Sequence, residues 1–239
     1  MANWRDYWNQ DTPIYSGERH KLIHYKLVAT DIAGLVPSPE AVVLDYGCGE
    51  ALFAEQVAAR CARLYLSDAA PLVRERLRAR FGGHERIAIL SPEEVSRLAD
   101  GSLDLVVVNS LLQYLSLDEL RGLLKLWRAK LRNGGRLVIA DVIPPDVSPL
   151  TDAKALLSFA WHGGFLGSAL LGLARTAFSE YRRIREEIGL AQYGEDEMID
   201  ILQDSGFEPE RAPRNLGHNQ ARMTFVARPA QADAGMEPE

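Results

Sequence analysis

Residues Ala41 to Phe53 read Ala-Val-Val-Leu-Asp-Tyr-Gly-Cys-Gly-Glu-Ala-Leu-Phe. The apolar run at the start of this stretch, with its β-branched valines, predicts a strand that is buried on both faces. The glycines that follow let the chain turn sharply and let a ligand approach the backbone. Apolar residues then recur at helical spacing, and we expect the helix to begin at Ala51. This order of strand, glycine turn and helix places the carboxylate of Asp45 and free helix N–H groups beside one crevice.

Two acidic residues near this turn favour S-adenosylmethionine over a dinucleotide as the ligand. Asp45 precedes the first glycine, where a carboxylate would face the pyrophosphate of a dinucleotide, and Ala51 stands where the dinucleotide fingerprint has its third glycine. S-adenosylmethionine lacks a pyrophosphate, and its ammonium group can bind a carboxylate. Asp68 follows the next predicted strand, about where an acidic residue meets a ribose diol in doubly wound folds. An ordinary strand-to-helix turn capped by Asp45 is the alternative.

The segment Leu44–Gly49 resembles motif I of the class I S-adenosylmethionine-dependent methyltransferases. The resemblance covers about Ala41 to Pro229, and it continues through Asp68, Asn109, Gly134-Gly135 and Gly206-Phe207. It implies an α/β fold with a doubly wound, Rossmann-like, seven-stranded sheet of order 3-2-1-4-5-7-6, in which strand 7 is antiparallel. It further implies an N-terminal helix, a helical cap inserted after strand 5, and methyl transfer from S-adenosylmethionine as the reaction.

The resemblance also assigns cofactor contacts to positions in this chain. We expect Asp45 to face the amino group of the cofactor and Asp68 to face its ribose hydroxyls. Ser91 follows strand 3, near the position of the adenine, although it suits a helix N-cap equally well. The complete expected set is Tyr15, Arg19, Asp45, Gly47, Cys48, Gly49, Asp68, Ala69, Ser91 and Asn109.

The overall composition limits the function further. The chain has 239 residues, of which 47% are hydrophobic and 25% charged, enough for one α/β domain with a sizeable core. Its net charge of −6 argues against binding to nucleic acid or to an anionic membrane. Cys48 and Cys61 are the only cysteines, so no disulfide framework is indicated. The first residues lack the apolar region of a signal peptide, and we expect a cytoplasmic location.

The sequence predicts a single methyltransferase domain over residues 1–229, followed by a disordered tail over 230–239. Residues 1–37 form an N-terminal helical flap, with Ser16 as the expected N-cap of a helix that runs to about Ala33. Strand 5 is expected over residues 136–140 and strand 7 over residues 221–227.

Residues 146–193 form the predicted cap insertion, and they include the strongly apolar run from Phe159 to Phe178. Although this run is long enough to suggest a membrane span, His162, Arg175 and four glycines favour a helical cap over an apolar pocket. The side chains expected to reach the acceptor are Trp161, His162, Phe165 and Tyr181. A dimer interface is the competing role for this segment, so the chain is expected to be a monomer or a homodimer.

The expected reaction is direct displacement of the methyl group by the acceptor, which needs a general base only if the acceptor carries a proton of high pKa. The candidates are His20, His24, Tyr114, His162 and His218, and no spacing selects among them. His20 and His24 have a metal-like separation of four residues, but no further motif completes a site, and we expect no metal.

The predicted acceptor is a small apolar or aromatic molecule, because the long apolar cap would close a pocket. Three other functions remain open from the sequence. The acceptor is a protein in one, the chain binds S-adenosylmethionine without catalysis in the second, and the chain is a nicotinamide oxidoreductase in the third. Asp45 and Ala51 count against the third.

Overall fold

Seven strands make up the sheet of this computed structural model, which describes residues 15–177 and 190–230. The strands are β1 Val42–Tyr46, β2 Arg63–Ser67, β3 Ile87–Leu90, β4 Leu103–Asn109, β5 Leu131–Val142, β6 Phe207–Arg211 and β7 Met223–Pro229. Their order is β3-β2-β1-β4-β5-β7-β6, and β7 is antiparallel to both of its neighbours. The predicted topology is confirmed.

Helices cover both faces of the sheet and one end of it. They are α1 Glu18–Leu35, α2 Ala54–Ala58, α3 Pro71–Phe81, α4 Pro92–Ser96, α5 Leu117–Lys130, α6 Pro149–Gly163, α7 Leu166–Ala177 and α8 Glu195–Asp204. A short 3-10 turn, Leu112–Tyr114, follows β4. Serine and glutamate side chains cap both α4 and α5 reciprocally, so Ser91 and Ser116 each mark a helix start by a capping box.

The core is divided by the sheet into two apolar clusters. Six consecutive residues of β4, from Leu103 to Val108, are buried, as expected for a central strand with covered faces. One cluster packs around Trp127 of α5, which is fully buried and meets the ring of Tyr46 edge-on at 5.3 Å between centroids. The other cluster packs beneath α1, α2 and α3. Because the strand order changes direction between β1 and β4, a crevice opens there at the carboxyl ends of the strands.

Several predicted boundaries were wrong, each for a local reason. The helix after the glycine turn begins at Ala54, because Ala51 has a φ of 41° and still belongs to the turn. Helix α1 has Gly17 at its N-cap, while the hydroxyl of Ser16 lies 3.1 Å from Nδ1 of His20.

Two strand boundaries also differ from the prediction. Strand β5 is longer than residues 136–140. It extends beside β4 at its start, where Leu131 pairs with Leu103, and beside β7 at its end, where Val142 pairs with Met223. Strand β7 starts two residues later than predicted, because Ala221 still belongs to a turn in which its N–H donates to Oδ1 of Asn219.

The described part of the cap contains two helices, α6 and α7, which are separated by a left-handed turn at Gly164 with a φ of 68°. A small apolar cluster centred on Ala160, Phe165 and Ala169 joins these helices to α1. Nε of Arg19 donates to the carbonyl of Gly163 at 2.7 Å and adds a polar link. Residues 1–14, 178–189 and 231–239 lie outside the described part of the chain. With them lie the first 14 residues of the predicted flap, nearly all of the predicted tail and the last residue of the apolar run, Phe178.

No helix in residues 15–177 and 190–230 has the length and apolar character that a membrane crossing would require.

The two tryptophans of α5 and α6 provide a matched test of this core. We expect Trp127→Ala to lower the free energy of unfolding by about 3–5 kcal/mol, because it leaves a large cavity in a fully buried cluster. Trp161 is 71% exposed, so Trp161→Ala should change stability by less than about 0.5 kcal/mol. Urea unfolding followed by circular dichroism measures both values. Similar losses for the two variants would contradict the packing described.

Candidate active site

A large cavity lies at the carboxyl ends of β1, β2, β4 and β5, between the sheet, α1 and the cap. Its volume is about 1390 Å³, which exceeds the roughly 300–1,000 Å³ typical of a pocket for one small ligand. The glycine turn after β1 forms one end. The other end, which we name the cap end, is lined by residues of α1, α6 and the loop before β7: His20, His24, Asp152, Leu156, His218 and Arg222.

The glycine turn is fixed to the end of β2 by backbone hydrogen bonds. The N–H groups of Gly47 and Cys48 both donate to the carbonyl of Ser67, at 2.7 and 3.1 Å. The N–H of Gly49 donates to Oδ2 of Asp68 at 3.1 Å. A Cβ at Gly49 would lie 2.9 Å from the hydroxyl of Tyr25, and the φ of +57° there also requires glycine. The turn is therefore held in one conformation before any ligand binds.

Negative charge is concentrated beside this turn. Burial, and then the nearby Asp68, raise the pKa of Asp45 to about 7. Burial also raises the pKa of Asp68, although that carboxylate accepts hydrogen bonds from the N–H groups of Ala70 and Gly49. The thiol of Cys48 has a pKa well above its usual value, because it is buried close to both carboxylates. A cationic ligand group would relieve this repulsion, so the site suits the ammonium and sulfonium of S-adenosylmethionine.

Three non-glycine residues of the described chain have positive φ angles, and all of them line the cavity. They are Ala51 at 41°, Ser110 at 56° and Asp141 at 63°. Ser110 and Asp141 directly follow adjacent positions of β4 and β5, and the Ser110 hydroxyl donates to Oδ2 of Asp141 at 2.7 Å. Such conformations cost about 1–3 kcal/mol each and gather at functional sites.

Two buried polar atoms beside β4 have no partner in the described structure. They are Oδ1 of Asn109 and Oε1 of Gln113, and both residues line the cavity. A buried acceptor without a hydrogen bond costs about 1–3 kcal/mol, and a ligand that donates to it recovers that energy. A ligand that donated a hydrogen bond to either atom would therefore be stabilised in the cavity.

Three histidines contact one another at the cap end. The ring centroids of His20, His24 and His218 are 6.1 to 6.5 Å apart, and Tyr15 packs against both His20 and His24. Burial, and then His218, lower the pKa of His20 to about 4, and burial, then His218 and His20, lower that of His24 to about 3. The pKa of His218 is lowered as well, mainly by burial. All three imidazoles are neutral at pH 7.

A buried ion network joins the sheet to the cap. Arg222 donates from Nη1 to Oδ2 of Asp141 at 2.8 Å and from Nη2 to Oδ2 of Asp152 at 3.1 Å. Nδ2 of Asn219 donates to the second carboxylate oxygen of Asp152 at 2.8 Å. Asp141 is in β5, Asp152 in α6, and Arg222 immediately precedes β7. The network therefore holds α6 against the ends of the strands.

The structure brings most of the predicted site residues together. The predicted cofactor positions that line the cavity are Tyr15, Asp45, Gly47, Cys48, Gly49, Asp68, Ala69 and Asn109. The predicted bases that line it are His20, His24, Tyr114 and His218. Ser91 and Arg19 do not line it. The Ser91 hydroxyl accepts from the N–H of Glu94 as a helix cap, and Arg19 binds the backbone of the cap.

The cap residues that were predicted to reach the acceptor agree less well with the structure. Trp161 is exposed, and His162 is exposed with Nδ1 2.8 Å from the carbonyl of Ser158, so neither reaches the cavity. Phe165 is buried and stacks on His20 at 4.9 Å between centroids, behind the cavity wall. Tyr181 lies outside the described residues. The cap lines the cavity through other side chains instead: Asp152, Ala153, Leu156, Leu173, Leu190 and Gln192.

Sequence reasoning missed the network around Arg222. Asp141 lies next to the last residue of β5, as Asp45 does in β1, so its position at a strand end was the one available signal. Among the described residues, no group of three or more histidine, cysteine or acidic side chains is placed to hold a metal ion.

Comparison with known proteins agrees with this geometry. Residues 44–139 match the family described as "Methyltransferase domain". No curated protein matches the chain.

Several solved structures share the fold. Magnesium protoporphyrin IX methyltransferase from Synechocystis PCC 6803, solved with bound SAM, is 15% identical with a TM-score of 0.57, and the match covers 95% of this chain and 89% of that chain. The mitomycin 7-O-methyltransferase MmcR is 18% identical with a TM-score of 0.61, over 95% of this chain and 61% of that chain. A chain from a complex that contains the Haloferax volcanii Trm112 methyltransferase activator is 15% identical with a TM-score of 0.61, over 97% of this chain and 100% of that chain.

The domain match includes the end of β1 from Leu44, the glycine turn, Asp68 and β4, which build one end of the cavity. With the sheet order, it supports a class I S-adenosylmethionine-dependent methyltransferase. The chain is therefore an enzyme, and its cofactor is S-adenosylmethionine.

The raised pKa of Asp45 predicts a pH-dependent stability. Between about pH 4 and pH 7 the folded protein keeps a proton on Asp45 that the unfolded chain has released, so the free energy of unfolding falls as the pH rises. Asp45→Asn removes this loss and should stabilise the cofactor-free protein by about 1–4 kcal/mol at pH 7.5, with little effect near pH 4.

Urea unfolding across this pH range measures the effect. Asp118→Asn, which removes an exposed carboxylate of α5, is the control and should leave the pH profile unchanged. A profile for Asp45→Asn that is parallel to the wild-type profile would contradict the assignment of Asp45 as a buried, destabilising carboxylate.

Proposed function

We propose that the enzyme transfers the methyl group of S-adenosylmethionine to a small aromatic or apolar acceptor that binds at the cap end of the cavity. The observation that carries this proposal is the cavity itself, which has room for a second ligand beside the cofactor and continues into an aromatic wall. Tyr15, His20, His24 and His218 form that wall, and Leu156 of α6 closes over it.

The residues of the glycine turn fit the cofactor. We propose that Asp45 binds the amino group, that Asp68 binds the ribose hydroxyls, and that the backbone of the turn approaches the methionyl carboxylate. Asn109, with its unpartnered Oδ1, lies beside the position of the sulfonium. Pro92 and Glu93 line the cavity next to Ser91, so the adenine is expected to lie along this segment rather than on the Ser91 hydroxyl.

When bound, S-adenosylmethionine supplies an electrophilic methyl group. The chain contributes position and exclusion of water, because a buried cavity that aligns two reactants can lower the barrier by up to about 7–11 kcal/mol. His20, His24 and Tyr114 are placed to accept a proton from an acceptor that carries one, and both imidazoles are neutral at pH 7. His162 is not a candidate, because it lies on the outer face of α6.

Other features of the chain agree with this proposal. The net charge of −6 opposes a nucleic-acid acceptor. Both cysteines, Cys48 and Cys61, are buried free thiols, which fits the proposed cytoplasmic location. We keep the proposal of a single catalytic domain over residues 1–229 that acts as a monomer or a homodimer.

Calorimetry and a transfer assay test the proposed function together. S-adenosylhomocysteine should bind to the purified protein, and NAD and NADP should not. Asp68→Ala removes a carboxylate that also supports Gly49, and it should weaken S-adenosylhomocysteine binding by about 1.5–3 kcal/mol, or about 10- to 150-fold. Asp118→Ala, at an exposed site of α5, is the control and should leave affinity unchanged.

The acceptor class is tested with methyl-labelled S-adenosylmethionine and a panel of small phenols, aromatic amines and indoles. Mass spectrometry should detect a labelled small product. Label that enters only protein would contradict a small-molecule acceptor. Unchanged affinity in Asp68→Ala would contradict the proposed ribose contact.

A further inference from the structure

The cap end of the cavity has an unusual balance of charge. One guanidinium, that of Arg222, lies between two carboxylates, those of Asp141 and Asp152. The Arg222 side chain is 14% exposed and the two carboxylates are 16% and 19% exposed, so solvent screens the three charges weakly. The sum of these charges is one negative charge, and Arg222 has already used both of its terminal nitrogens to bind carboxylates.

The other groups at this end do not offset that negative charge. His20, His24 and His218 are neutral at pH 7. Among the described residues that line the cavity, the one further cation is Arg74, and it lies at the opposite end, where Nη1 donates to the carbonyls of Asp68 and Ala69. An anionic ligand at the cap end would therefore find no cation whose charge is not already neutralised by carboxylates.

The unpartnered polar atoms also indicate what the ligand carries. The side chain of Gln113 is 7% exposed, and its Oε1 has no hydrogen-bond partner, so a ligand N–H or O–H group would satisfy it. Nε of Arg222 likewise lacks a partner, and it can donate to an uncharged ligand oxygen or nitrogen. The tyrosine and histidine rings provide flat apolar surfaces, and the tyrosine faces attract cations as well.

We propose that the cap end selects a neutral or cationic aromatic molecule with hydrogen-bond donors, and that it excludes anionic acceptors. The inference rests on the proposed function, because it names the class of acceptor that this enzyme methylates. The charge selection comes from Asp141 and Asp152. Together they neutralise Arg222 and leave one negative charge in excess.

Three indole derivatives with similar size and different charge test this proposal. Tryptamine is cationic, indole-3-ethanol is neutral and indole-3-acetate is anionic at pH 7.5. Each is titrated calorimetrically into the protein saturated with S-adenosylhomocysteine. Tryptamine and indole-3-ethanol should each bind at least about tenfold more tightly than indole-3-acetate.

Charge variants connect the selection to the network. Asp152→Asn removes one of the two negative charges that neutralise Arg222 and should raise the affinity for indole-3-acetate by about tenfold relative to tryptamine. Asp141→Asn should act in the same direction, and asparagine tolerates the positive φ at this position. Asp118→Asn removes an equal charge from the surface of α5 and should leave the selection unchanged. Thermal unfolding checks that each variant is folded, and the wild-type result decides the proposal even if neither network variant folds.

The outcomes separate this inference from the proposed function. If indole-3-acetate binds as tightly as tryptamine or indole-3-ethanol, or if none of the three binds at about 1 mM, the inference is overturned while methyl transfer stands. If S-adenosylhomocysteine itself does not bind, the proposed function fails. The same three probes, titrated into the cofactor-free protein, then still decide whether the cap end excludes anions.

Discussion

The active site depends on buried negative charge at the ends of two neighbouring strands. Asp45 lies at the end of β1, before its last residue, and Asp68 follows β2, and burial raises the pKa of both carboxyls. An isolated carboxylate in such a place costs free energy, so the fold is less stable at neutral pH than it would be with asparagine there. A cofactor with two cationic groups offsets this cost. Cofactor binding is therefore favourable, because it relieves an electrostatic repulsion that destabilises the cofactor-free protein.

At the cap end of the cavity, the carboxylates are paired with a cation. There Arg222 binds Asp141 and Asp152, and so joins β5, α6 and the segment before β7 in one buried network. Breaking such a network by removing one partner costs about 3–5 kcal/mol. The N-terminal end of α6 is therefore held firmly against the strands. The two ends of the cavity thus differ. The carboxylates beside the glycine turn are open to a cationic cofactor, whereas those at the cap end are paired with Arg222.

Local sequence patterns made the glycine-turn end of the cavity predictable. The apolar strand, the two glycines and the carboxylates occur within a short stretch or after consecutive strands, and their spacing indicates the site directly. The start of α2 was not predictable in this way. Ala51 is a good helix former, but the turn imposes a φ of 41° on it, and the helix starts three residues later.

The cap end could not be deduced from spacing, because its partners are distant in sequence. Arg222 is 81 residues from Asp141 and 70 from Asp152. The angular position of each residue around α6 also determines which cap residues line the cavity. Asp152 and Leu156 line it at a separation of one helical turn, whereas Trp161 lies about 140° around the helix from Leu156 and points outward. Apolar character alone does not distinguish these two faces.

The most direct test of the account is a crystal structure of the protein with S-adenosylhomocysteine. We expect the amino group of the ligand within hydrogen-bond distance of the Asp45 carboxylate, directly or through one water, and the ribose hydroxyls on Asp68. We also expect the Gly47–Gly49 turn to keep its present conformation, because its N–H groups are already bound to Ser67 and Asp68. A ligand that binds with its ribose away from Asp68, or that requires the turn to rearrange, would contradict the account.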